Sequence, residues 1–282
     1  MGAVVVHSAL PPPLAAAADA VLTGERILHV AHGDADPVAA AVAAAEDGRA
    51  VALLGPFRSH HVAEALEATA PAGLLLLAPV ATWAGVTRSD EPGCDEPADH
   101  GGLVRRLVAR DTEVARRIAV DVRARGLRAF VVAGSHEYGE QLNSQLRLAN
   151  LPRAGTSAEA DLIVLCGLED SPELEDVRAL TPLPVIAFDG IRWGELGADR
   201  HVLFALPFAP IPHIAFDHLV YGAERARHGA QLVADAVHAG ADRGSLPGVL
   251  RDGFDEHGDP LEPSVWLWRL DASGALRPDR GI

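Results

Sequence analysis

Ala50-Val51-Ala52-Leu53-Leu54-Gly55-Pro56-Phe57-Arg58-Ser59 is an unbroken apolar run that stops at Gly-Pro and hands over to a helix start. Apolar residues with no polar alternation fit a strand buried on both faces, and Gly-Pro is strong punctuation. Ser59 is placed to cap a helix running to about Ala70, and Gly73–Ala78 is the next apolar run. Strand, helix and strand in this spacing make one βαβ unit, whose strands pair in parallel through a right-handed crossover.

The alternation extends both ways. Upstream, Ala3–His7 reads as a strand, Leu14–Leu22 as a short helix, Arg26–Ala31 as a strand and Pro37–Glu46 as a helix. Pro37 suits a first helical turn, where its missing N–H costs nothing, and Asp36 is its N-cap. Downstream, Asp111 is expected to cap a helix to Gly126, with Val114, Ile118 and Val122 on one face. Strands follow at Arg128–Ala133, Leu162–Cys166, Val185–Phe188 and His201–Ala205, with helices at Tyr138–Ala149 and around Glu173–Leu180. A long helix, Ile214–Ala239, and a last strand, Trp266–Leu270, complete the pattern. The acidic, proline-bearing stretch Ser89–Gly102 divides two βα series, which predicts an α/β protein of two Rossmann-like lobes with parallel sheets.

Composition agrees with this class and excludes others. A chain of 282 residues, 49% hydrophobic, can bury one large core or two ordinary ones. Ala, Val and Leu supply most of the apolar mass, which suits parallel strands covered on both faces. All 24 basic residues are arginine, so Schiff-base chemistry and a P-loop lysine are excluded. A net charge of −15 repels phosphates, and no nucleic-acid partner is expected. The pairs Arg105-Arg106 and Arg116-Arg117 and the group Arg123, Arg125 and Arg128 read as solvated helix faces and ends. Cys94 falls in the acidic loop and Cys166 ends an apolar run, so neither a disulfide nor a zinc site follows. His60 and His61 diverge by about 100° on a helix, and metal-binding and nucleotide-binding signatures are missing; no metal or cofactor is expected. No apolar run nears the roughly 18 residues that span a bilayer, so no membrane insertion is expected. The start, Met1–Val6, lacks a basic leader segment, which as written points to the cytoplasm, or to the periplasm or cell exterior if a leader was removed.

A series of short motifs then carries a resemblance. Gly33-Asp34-Ala35-Asp36-Pro37 resembles the "D…sDP" segment of leucine/isoleucine/valine-binding proteins, and Gly55-Pro56-Phe57-Arg58-Ser59 is similar to their "GPxSS" turn. Leu76–Thr82 looks like "IxSPSAT", Arg106–Asp111 like "RxxPxD", and Gly134–Glu140 like "xxDxxYGxG". Gly253–Asp259 is similar to "xxFDxxGD" near the C-terminus. The order covers nearly the whole chain and resembles the type I periplasmic-binding-protein family, of the branched-chain amino-acid transporter type. That resemblance implies two α/β lobes with a small molecule bound in a cleft between them, at strand carboxyl ends. It also implies the boundaries: residues 1–107 with 208–250 for one lobe and 108–207 with 251–282 for the other. Departures mark a shortened member: the first helix is brief, and the stretch between Asn150 and Ala160 has lost an element.

The resemblance also implies the ligand residues. Phe57, Arg58, Ser59 and His60 form one turn; Ser59 matches a carboxylate-binding serine, while Arg58 replaces another. Arg58 is either a fork for a carboxylate or a solvated charge paired with a surface acid. Val80 stands where relatives carry Ser or Gly, with Ala81 and Thr82 retained, and Trp83 is an aromatic wall or a packed lobe-edge residue. Tyr138 matches a cleft-facing aromatic residue, with packing as the alternative. Asp189, before Gly190, matches the acid that meets a ligand ammonium, with capping of its own turn as the alternative. The expected function is binding of an amino-acid-like or other small polar metabolite, as a solute-binding protein or cytoplasmic sensor. The alternative is an enzyme that reuses the cleft, with acid–base chemistry by His60 or His136 and Tyr138. The helix Ile214–Ala239 packs within a lobe or across a homodimer, and both readings stand.

Overall fold

The run Ala50–Leu54 forms a strand buried at every residue. The computed structural model describes residues 3–32, 36–87, 101–167, 177, 183–188, 202–207, 218–271 and 276–282. Two units are distinguished, Met1–Val108 with Asp217–Glu262 and Ala109–Phe216 with Pro263–Ile282.

In the first unit, β1 (Val4–Ser8), β2 (Ile27–Ala31), β3 (Ala50–Leu54), β4 (Leu75–Ala78) and β5 (Val104–Arg106) form one sheet in the order β2-β1-β3-β4-β5, parallel throughout. Helices α1 (Pro12–Asp19), α2 (Pro37–Glu46) and α3 (Ser59–Thr69) alternate with these strands, and α6 (His218–His238) returns to cover the sheet. The strand period of two sorts β4 between two cores. Leu75 and Leu77 pack with Leu14, Leu54, Ala230 and Val233, while Leu74, Leu76 and Ala78 pack with Ala40, Ala44, Val62 and Leu66. Small alanines let α2 lie close to the sheet.

Helix starts differ in whether a side chain caps them. The Asp36 carboxylate accepts a 2.8 Å hydrogen bond from the Ala39 N–H, so α2 is capped as its sequence predicts. Ser59 is not the cap of α3: Arg58 holds that position, Ser59 is the first helical residue, and no side chain caps the end. Asp111 likewise begins its helix without capping it.

In the second unit the sheet order is β11-β10-β9-β8-β7-β6. Strands β6 (Ala129–Ala133), β7 (Leu162–Cys166), β8 (Val185–Phe188) and β9 (Val202–Leu206) are parallel. The strand expected to be last, β10 (Trp266–Leu270), is joined by β11 (Leu276–Gly281), and both run antiparallel to their neighbours. Helices α4 (Asp111–Ala124) and α5 (Glu137–Leu148) cover the parallel part through Val114, Ile118, Val122, Leu142 and Leu146. Cys166 is fully buried there, and burial pushes its thiol well above the ordinary cysteine value. Cys94 lies outside the described residues, as does most of the helix expected around Glu173–Leu180.

Two expectations are corrected. Arg105 and Arg106 are not on a solvated helix; they belong to β5, and Arg106 has no exposed surface. Residues 251–262, expected with the second lobe, belong to the first unit, because Gly258 and Asp259 bond the backbone and guanidinium of Arg106.

Candidate functional site

The first unit's sheet reverses direction of growth beside β1. From β1 the chain moves outward to β2, then crosses back to β3 on the other side. Connections leaving β1 and β3 at their carboxyl ends diverge there, opening a crevice where α/β sheets commonly bind ligands. A recess of about 230 Å³ lies at this point, lined by Ala9, Pro37, Pro56, Phe57, Arg58 and His61. It is smaller than the ~300–1,000 Å³ of drug-sized pockets.

Its polar wall is the start of α3. Gly55, with φ +87°, turns the chain where a side chain would strike Leu10 Cδ2 at 2.7 Å and the Ala9 carbonyl at 2.9 Å. Only glycine therefore brings this turn against the β1 exit. The N–H groups of Ser59, His60 and His61 have no acceptor among the described residues, since α3 is uncapped. A helix start with open N–H groups attracts negative charge. Arg58 is exposed, and its guanidinium makes no hydrogen bond or ion pair among the described residues. His60 is exposed; burial first, then the charges of His61 and Arg58, hold it below the ordinary histidine value against an opposing pull from Glu64. Despite their divergence on the helix, the His60 and His61 rings touch edge to face with centroids 4.1 Å apart.

The turn after β4 meets the same helix start. Ser59 Oγ accepts a 3.3 Å hydrogen bond from the Trp83 N–H, which leaves its own proton to donate elsewhere. Val80 is half-buried, Ala81 and Thr82 are buried, and the Trp83 ring lies partly against the α2–α3 core. Neither the amide nor the hydroxyl of Thr82 finds a partner among the described residues. Phe57, Arg58, Ser59, His60, Val80, Ala81, Thr82 and Trp83 thus occupy two adjoining turns at strand carboxyl ends.

In the second unit, Tyr138 lies in the first turn of α5 and packs partly against the core. Its hydroxyl donates to Asp111 Oδ1 at 3.3 Å, and His136 beside it is exposed. Asp189 and Gly190 lie outside the described residues.

Sequence reading missed two histidine relays on β1 and β2. His7 Nδ1 lies 2.8 Å from His32 Nε2 and His7 Nε2 3.4 Å from Asp47 Oδ2. On the opposite face, His29 links Asp19 Oδ1 at 3.0 Å to Ser8 Oγ at 2.9 Å. The second relay borders a groove of about 380 Å³ formed with Pro12, Ala15 and Ala16. It has the order of a Ser-His-Asp relay, but Ser8 has no exposed surface, so the serine cannot meet a substrate in this structure. Histidine spacing along the chain carries no trace of either relay; parallel pairing of β1 with β2 creates both. Among the described residues no cluster of metal-binding side chains is present, and no helix is long and apolar enough to cross a membrane.

No protein-family model and no curated protein matches the sequence. Solved structures do match. An ABC transporter substrate-binding protein from Desulfitobacterium hafniense in complex with Leu is 20% identical at a TM-score of 0.76, covering 99% of each chain. The branched-chain amino acid transporter substrate-binding protein of Streptococcus pneumoniae, in complex with isoleucine, is 15% identical at 0.71, covering 100% of this chain and 99% of its own. A solute-binding protein from R. palustris in complex with benzoate is 14% identical at 0.69, covering 99% of this chain and 96% of its own. At these identities the likeness establishes architecture, and it does so over the full length: the chain has the type I periplasmic-binding-protein fold.

Proposed function

We propose that this protein binds a small metabolite bearing a carboxylate, as a solute-binding protein or sensor and not as an enzyme. The observation that carries the reading is the uncapped start of α3, with its open N–H groups and unengaged Arg58, facing the recess where β1 and β3 part. Backbone donors, a helix dipole and a guanidinium all favour one negative group. Phe57, Pro37, Pro56 and Ala9 supply apolar wall for its body. Ser59 and Thr82 each keep a donor for it, with Val80, Ala81 and Trp83 shaping the adjoining turn and His60 at its rim.

Similar folds carry leucine, isoleucine or benzoate, and these serve as probes. L-leucine and benzoate are expected to raise the Tm, while leucinamide and benzamide are not. Arg58→Ala should weaken either acid by about tenfold, the scale of one charge-assisted bond. Equal stabilisation by acids and amides, or by neither, would sink the reading.

A further inference from the structure

We infer that Arg106 is a positioning residue for the carboxylate site, holding the turn 81–87 so that its donors face outward. The inference shares its ligand with the reading above but rests on a separate network. Arg106 has no exposed surface, which for a charged side chain demands full pairing. Nε donates to Asp259 Oδ1 at 2.9 Å, Nη2 to the Trp83 carbonyl at 2.8 Å and to Thr87 Oγ1 at 2.9 Å, and Nη1 to the Ala81 carbonyl. Thr87 Oγ1 in turn donates to Asp259 Oδ1 at 2.7 Å.

Peptide geometry converts these bonds into aim. In a trans peptide the carbonyl and the following N–H point in opposite directions. Drawing the Ala81 carbonyl inward to Arg106 therefore turns the Thr82 N–H outward, and drawing the Trp83 carbonyl inward does the same for the Ala84 N–H. Thr82 is the residue whose amide and hydroxyl lack partners among the described residues. Between them, the Trp83 N–H reaches Ser59 Oγ, which joins the turn to the open start of α3. The anchor is built from both ends of the unit's sequence. Arg106 N–H donates to the Gly258 carbonyl at 2.8 Å, and Gly258 adopts φ +91° where any side chain would collide with the Val104 carbonyl. That close approach delivers Asp259 to the guanidinium. A lysine could pair with Asp259 but has no planar fork to span two carbonyls and a hydroxyl.

Arg106→Lys in the full chain tests this, compared with a Val122→Ala chain whose destabilisation arises in the other unit. Arg106→Lys should weaken benzoate and L-leucine by about tenfold in calorimetric titration and speed hydrogen exchange at the Trp83, Val86 and Thr87 amides. Val122→Ala should do neither. Wild-type affinity with wild-type exchange in Arg106→Lys would overturn the inference. If neither probe binds the unmodified chain, the binding reading fails and exchange alone decides: faster exchange supports the anchor, unchanged exchange refutes it. Should Arg106→Lys fail to fold, Thr87→Val replaces it, with a loss of about threefold expected from one weaker bond and the same exchange criterion.

Discussion

A guanidinium without exposed surface is the residue on which the first unit's interior depends. Arg106 reads as surface because a charged residue next to Arg105 resembles a solvated run, yet its partner Asp259 is 153 positions away in sequence. Removing one member of a buried ion pair leaves the other charged and desolvated. Asp259→Ala should therefore cost about 3–5 kcal/mol in urea denaturation, and a loss below about 1 kcal/mol would show that the pair is not enclosed. Arg58 shows the opposite case. Its type and position at a helix start are legible in sequence, but whether a neighbouring acid occupies it is a question of surroundings, and none of the described residues does.

Elements defined by long apolar runs are legible to the residue: Ala50–Leu54, Leu162–Cys166 and Val185–Phe188 begin and end as read. Each is bounded by polar residues or turn formers, so burial and punctuation agree. The short β5 and the charged β11 are not legible, since Val104–Arg106 and Leu276–Gly281 lack the apolar pattern and owe their strand form to pairing. Caps divide the same way. Asp36→Ala should destabilise the first unit by about 1 kcal/mol in denaturant melts, whereas Ser59→Ala should cost α3 no cap. At the β1–β2 edge, burial first and then His7 and His29 hold His32 below the ordinary histidine value. An unfolded chain then binds the proton more readily, so stability falls as pH drops below about 6.5 toward the folded value. The Tm should be lower at about pH 5.5 than at about pH 7.5, and His32→Gln should shrink that difference; an undiminished difference would assign it elsewhere.

Across the whole molecule, a net charge of −15 sets a background of self-repulsion that local pairing does not remove. Raising salt from about 10 mM to about 150 mM shortens the Debye length from about 30 Å to about 8 Å. The Tm should rise over this range, and a fall would mean that surface ion pairs such as Glu113 with Arg116 and Arg117 outweigh the repulsion. By itself the sequence determined the α/β class, the parallel pairing, the division into two βα series and the turns at the strand ends. These follow from local chemistry: apolar period, glycine and proline placement, and the short connections of βαβ units. Only the tertiary structure decided that α3 starts uncapped, that Arg106 is buried beneath the turn after β4, and that residues 251–262 supply its counter-charge. Those outcomes depend on groups distant in sequence whose burial is favourable only once they meet, and no local pattern records such a meeting.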